Sequence, residues 1–201
     1  MNKVLFSIIG TLAAVSAFAQ GSVNVNNRFG SPAVIRGVSL PGGALVAGAE
    51  WQALITYGAA NTALGSAMNF RPAGTLAGAW VPTSNGGAND RVMDGVAAGS
   101  TVSLTVNVWD SSRFASWTDA SAALKAGGVS SGAATAAGSS TFSYSVPSGD
   151  AALNPGNFNM ANFQAFSLTA LNVTSGPVVP EPTTIALGAL GAAALLWRRR
   201  K

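Results

Sequence analysis

The chain has 201 residues, 11 Lys+Arg against 7 Asp+Glu, and neither Cys nor His. Without those two residue types, disulfide stapling, Ser-His-Asp and Cys-His nucleophilic catalysis, His acid–base chemistry and ordinary zinc or copper sites are excluded. A net charge of +4 and a pI near 10.1 ordinarily suggest nucleic acid or an anionic surface, so the position of the cations decides how that charge is read.

In chain order, Lys3 is a positive start, Val4 to Val15 an apolar run, and Ala17-Phe18-Ala19 an A-x-A site ahead of Gln20. This order predicts a secretory signal peptide over 1–19, removed by signal peptidase, with Ala17 and Ala19 as the small residues the cleavage needs.

A domain is expected over 20–171, and period-2 runs dominate it. Val23 and Val25 alternate with Asn24 and Asn26; Trp51, Ala53, Ile55 and Tyr57 alternate with Gln52, Leu54 and Thr56. The longest run puts Val102, Leu104, Val106 and Val108 on one side and Thr101, Ser103, Thr105 and Asn107 on the other. Phe142, Tyr144 and Val146 repeat the pattern, as do Phe166, Leu168 and Ala170. Such alternation predicts strands with one face on a core and one in solvent, hence antiparallel sheets. Turns are expected at Pro41-Gly42-Gly43, Asn85-Gly86-Gly87, Ala98-Gly99-Ser100 and Ser148-Gly149-Asp150. One short helix is expected, capped by Ser116 or Thr118, Ala-rich from Ala120 to Leu124 and ended by Gly127-Gly128. Gly127 to Ser140 is almost wholly Gly, Ala, Ser and Thr and reads as a surface loop. The predicted fold class is all-β, an antiparallel β-sandwich of immunoglobulin-like or jelly-roll type with one short helix.

Residues 172–179, with Pro177, read as a spacer, and a distinct tail occupies 180–201. Pro180-Glu181-Pro182 precedes an uncharged run from Thr183 to Trp197, and Arg198-Arg199-Arg200-Lys201 closes the chain. The prolines prevent a helix from continuing upstream. Residues 183–197 are expected to form a hydrophobic membrane helix of about 22 Å. That is short for a span, so Trp197 and the arginines must extend it at the interface. The four terminal cations act as a membrane stop and place the C-terminus in the cytoplasm.

This tail resembles the PEP-CTERM sorting signal of Gram-negative bacteria in all three of its parts. The resemblance covers about 179–201. It implies recognition of Pro180, Glu181 and Pro182 by an integral-membrane exosortase, transient membrane attachment, and export to the cell envelope, cell surface or extracellular matrix, settings associated with exopolysaccharide and biofilm. No catalytic residue follows from it for the rest of the chain.

The tail also resolves the charge. Lys3 and the four terminal cations are five of the 11, which leaves six cations and six acids between Gln20 and Val179. The body is neutral, and no nucleic-acid partner is expected. No cofactor is expected either: P-loop and dinucleotide glycine patterns are absent, and Ser121 with Lys125 misses the S-x-x-K spacing. Glu50, Asp90, Asp94, Asp110 and Asp119 are the acids from which a glycoside hydrolase would draw a pair, although such acids more commonly serve at surfaces and turns. Asp90 and Asp94, with Asn89, are a weak Ca²⁺ candidate if a loop gathers their oxygens. Trp80, Trp109 and Trp117 fall near strand ends or turns, where an exposed indole suits stacking on a sugar ring. The reading that follows is an exported, non-enzymatic envelope or matrix protein. The alternatives are an exopolysaccharide-binding module and, more distantly, a glycoside hydrolase.

Overall fold

In a computed structural model, which describes residues 20–29, 34–129, 134–148 and 158–172, the alternating runs become strands. In chain order these are β1 (Gln20–Asn24), β2 (Arg28–Phe29), β3 (Val34–Ile35), β4 (Val38–Ser39), β5 (Trp51–Tyr57), β6 (Thr62–Ala63) and β7 (Met68–Asn69). There follow β8 (Asp90–Ala97), β9 (Thr101–Asp110), helix α1 (Trp117–Ala126), β10 (Thr135–Ser145), β11 (Phe166–Ser167) and β12 (Thr169–Leu171). The signal peptide, spacer residues 173–179, the tail and Gly149-Asp150 lie outside the described residues. Among the described residues no helix is long and apolar enough to cross a membrane.

The central sheet is antiparallel, ordered β12-β10-β9-β5-β6, with β7 also beside β5. Its partner layer is not one continuous sheet. It consists of an antiparallel β1–β8 ribbon, a β2–β3 pair and a short β4–β11 pair that runs parallel. Among the described residues the protein is thus all-β with one α-helix, and the strands follow from the alternation. Ala98-Gly99-Ser100 is a turn, but β8 and β9 do not pair across it; the chain leaves the ribbon there and enters the central sheet. Gly99 takes φ 79° at this corner, a region in which glycine carries no steric penalty.

The main core lies between these layers. Val23, Val25 and Met93 of the ribbon region meet Ala53, Ile55, Leu104, Val106 and Val108 of the sheet, with Trp80, Phe70 and Phe163 filling the space between. Apolar side chains from both layers leave water together there, which is the principal force holding the layers in contact.

A second, smaller cluster sits on the other face of the sheet. Helix α1 places Ala120 against Trp109, Ala137, Val129 and Leu171. Ser116 caps the helix by accepting from the Asp119 N–H at 3.3 Å while its hydroxyl donates to the Asp119 carboxylate at 2.8 Å. Gly127 ends it at φ 76°.

Two local expectations are corrected. Thr135 to Ser140 is not loop but the first half of β10, with Ala136, Ala137 and Gly138 buried. Small side chains suit a strand covered on both sides: a Cβ at Gly138 would lie 3.3 Å from the Leu168 Cα. The run from Phe166 to Ala170 is likewise not one alternating strand. It breaks at Leu168, β11 pairing with β4 and β12 with β10, so that Leu171 rather than Ala170 is buried.

Candidate functional site

The tryptophans expected at the rim are mostly interior. Trp80 is 0% exposed. Its Nε1–H donates to the Val25 carbonyl at 2.6 Å, and its ring contacts Phe70 and Phe163 at centroid distances of 5.9 and 5.7 Å. Trp109 does face away from Val102 to Val108, as the alternation requires, yet it is only 2% exposed. Helix α1 covers that face; Trp109 Nε1–H donates to the Phe114 carbonyl at 3.1 Å, and the ring sits 6.3 Å from that of Trp117. Trp117, at the start of α1, is half-buried against the same cluster. Trp80 and Trp109 therefore offer no flat face to a sugar.

Asp90 and Asp94 are not in a loop. Both are exposed on strand β8, and Asp90 accepts from the Asn24 amide at 3.0 Å. Extended backbone separates residues four apart by roughly 13 Å, too far for one Ca²⁺ at bond lengths of about 2.3–2.6 Å. No group of three or more His, Cys, Asp or Glu gathers among the described residues.

The titration behaviour that burial perturbs belongs to Arg91 of the β1–β8 ribbon and to Tyr144 of β10, which bonds to that ribbon. Arg91 is buried, and its guanidinium donates to the carbonyls of Leu64, Ser66, Pro82 and Ala88. Burial lowers its pKa. The Tyr144 hydroxyl shares its one proton between the carbonyls of Ser22 at 2.9 Å and Phe158 at 3.0 Å. Burial first, and the Asp90 charge second, raise its pKa. These groups hold segments together rather than facing an opening.

The opening lies at the other end of the sheet. Antiparallel pairing puts the start of β5, the end of β9 and the start of β10 side by side: Trp51 is opposite Asp110, and Ala137 opposite Trp109. A cleft of about 290 Å³ forms there, lined by Trp51, Asp110, Thr135 and Asn172 together with apolar surface from the Leu40-Pro41 turn, Ala136 and Ala170. Trp51 is half-buried, packed against the main core on one side and lining the cleft on another. The Asp110 carboxylate is held firmly. Its Oδ1 accepts from the Ser112 N–H at 2.9 Å and the Ser112 hydroxyl at 2.5 Å, and its Oδ2 from the Thr135 hydroxyl at 2.9 Å. Of the four lone-pair positions on a carboxylate, the described residues fill three and leave one on Oδ2 for a further donor.

Trp51 escaped the sequence reading for a physical reason. It is in phase with Ala53, Ile55 and Tyr57, so alternation assigns it to the core, yet at the start of β5 it is only half-buried and lines the cleft. Its sole signal in the sequence is position, directly after the Gly48-Ala49-Glu50 turn.

No curated protein sequence and no solved structure matches the chain. The last described residue, Asn172, lines the cleft, and six residues later a match begins to the family model of the PEP-CTERM protein-sorting motif, over residues 178–201. The chain thus ends in a PEP-CTERM sorting motif, which implies an exported, exosortase-processed surface protein of a Gram-negative-type bacterium.

Proposed function

We propose that the body is a non-enzymatic component of the cell envelope or extracellular matrix, delivered by its tail. The observation that carries this reading is the sorting motif over residues 178–201, which addresses a neutral all-β domain to the cell exterior. Pro180, Glu181 and Pro182 are the exosortase recognition residues in this reading, and residues 183–197 with Arg198 to Lys201 hold the precursor in the membrane until processing.

The non-enzymatic part draws support from the cleft. Glycoside cleavage uses two carboxylates across the scissile bond, and Asp110 is the single acid among the described residues that line the cleft. Glu50, its neighbour across the sheet end, turns its carboxylate back over Gly48.

Intact-mass measurement on protein isolated from its host tests the delivery. The expected mature form begins at Gln20 and lacks Arg198 to Lys201. A surface fraction that retains both termini would refute the reading, and so would a protein confined to the cytoplasm.

A further inference from the structure

We propose that the cleft at the Trp51 end of the sheet binds one ring of a neutral sugar. This deepens the surface-protein reading by naming what the body holds. Three features of the cleft select that chemistry.

The first is size. At about 290 Å³ the cleft lies just below the usual range of small-molecule sites, roughly 300–1,000 Å³, so it suits a single ring and not an extended peptide or a nucleotide. The second is the mixture of surfaces. Trp51, Leu40, Pro41, Ala136 and Ala170 supply apolar surface, while Asp110, Thr135 and Asn172 supply polar groups. A pyranose has that same division, with C–H bonds over its faces and hydroxyls around its edge, and an indole covers the C–H face without needing charge. The third is the balance of donors and acceptors. The Asp110 carboxylate has its Oδ1 filled by Ser112 and half of its Oδ2 filled by Thr135. It therefore presents one fixed acceptor, and the Asn172 amide brings both a donor and an acceptor. One sugar hydroxyl donating to Asp110 and another exchanging with Asn172 would satisfy all of them. No cation is among the described residues that line the cleft, which disfavours uronic acids and sugar phosphates in front of Asp110.

The site is rigid where it needs to be. Asp110 is paired with Trp51 across β5 and β9, and the Ser112 and Thr135 bonds fix the carboxylate before a ligand arrives. Preorganised groups lose less freedom on binding, which is where a small site finds its affinity.

The test uses the full-length chain, held in a detergent without a sugar headgroup. A panel of neutral hexose and N-acetylhexosamine oligosaccharides is read by saturation-transfer NMR, with glucuronate and tetramethylammonium as contrasting probes. The expected result is that one or more neutral glycans bind. Trp51→Ala should weaken that binding by roughly tenfold and Asn172→Ala by about two- to fivefold, the effect of one hydrogen bond of about 0.5–1 kcal/mol. Trp51→Phe, which keeps an aromatic wall, should retain most of it, and Asn172→Ala guards against an unfolded Trp51→Ala because Asn172 is exposed at the edge. No neutral glycan binding, binding that ignores both positions, or a preference for glucuronate or tetramethylammonium would each overturn the proposal. Sugar binding is measured on purified protein and sorting on the host's mature form, so either result can fail while the other stands.

Discussion

The two faces of the central sheet are covered by different means. On one, the β1–β8 ribbon and the 158–168 segment bring Val23, Met93, Met160 and Phe163 down onto Ile55, Leu104 and Val106, around a fully buried Trp80. On the other, a ten-residue helix sits over Trp109, with Ala120 against Ala137 and Leu171 and the Trp117 ring beside the Trp109 indole. Strand β9 spans both arrangements. Its first half exposes Thr101 and Ser103, whereas from Val106 to Trp109 every residue is buried whichever way it points. Alternation thus describes a strand only where one face is bare. Where a helix lands, the polar face becomes a second interior, and small residues allow the close approach.

Replacing the central ring of the larger core should have the greatest effect. Trp80→Ala is expected to cost about 3–5 kcal/mol, read by denaturant unfolding of the whole domain; a loss under 1 kcal/mol would mean the aromatic layer is not what joins the two layers. Trp109→Ala should cost less, about 3 kcal/mol, and should act locally. Hydrogen exchange is expected to quicken first in α1 while β1 and β5 stay protected. Uniform quickening would merge the two cores into one cooperative unit and end the contrast.

A smaller change sharpens the account of how the ribbon is tied on. Tyr144→Phe removes the proton that the Ser22 and Phe158 carbonyls share, at about 1 kcal/mol. The pH dependence is a second readout. The folded-state pKa of Tyr144 is raised, so its contribution is complete below the ordinary tyrosine value of 10.0 and is lost as pH climbs above it. The wild type should therefore lose more stability than Tyr144→Phe above pH 10.0; parallel curves would show that the hydroxyl does not stay protonated. The smallest effect is expected from Ser116→Ala, about 1 kcal/mol or less, seen as fraying of the first turn of α1 by exchange. Fraying throughout the sheet would show the helix to be integral to the larger core instead.

Much of the fold was legible because local chemistry dictates it. Period-2 alternation marks β5, β9 and β10 wherever one face is wet, and Ser116 with Gly127 brackets the helix because orphan N–H and C=O groups need those partners. The Gly/Ala/Ser start of β10 was opaque, since burial on both faces erases the alternation, whereas in the second half of β9 alternation marks the strand but does not reveal that Asn107 and Trp109 are buried as well. Strand β8 misleads in another way: Arg91 points inward to four carbonyls while Val92 is 53% exposed. No local rule anticipates an arginine inside, because its partners come from segments 3 to 27 residues away. The cleft was opaque for a related reason, being made by the ends of strands distant in sequence.

The sequence by itself determined the address and the class of fold. A sorting tail works through contiguous residues, Pro180 to Lys201, and a strand's pattern lies within its own few residues, so both can be read along the chain. Tertiary structure alone decided which of the described indoles are spent in the interior and which keep part of their surface exposed. Exposure depends on what other segments cover, and the segments that bury Trp80 and Trp109 while leaving part of Trp51 uncovered are brought there only by folding.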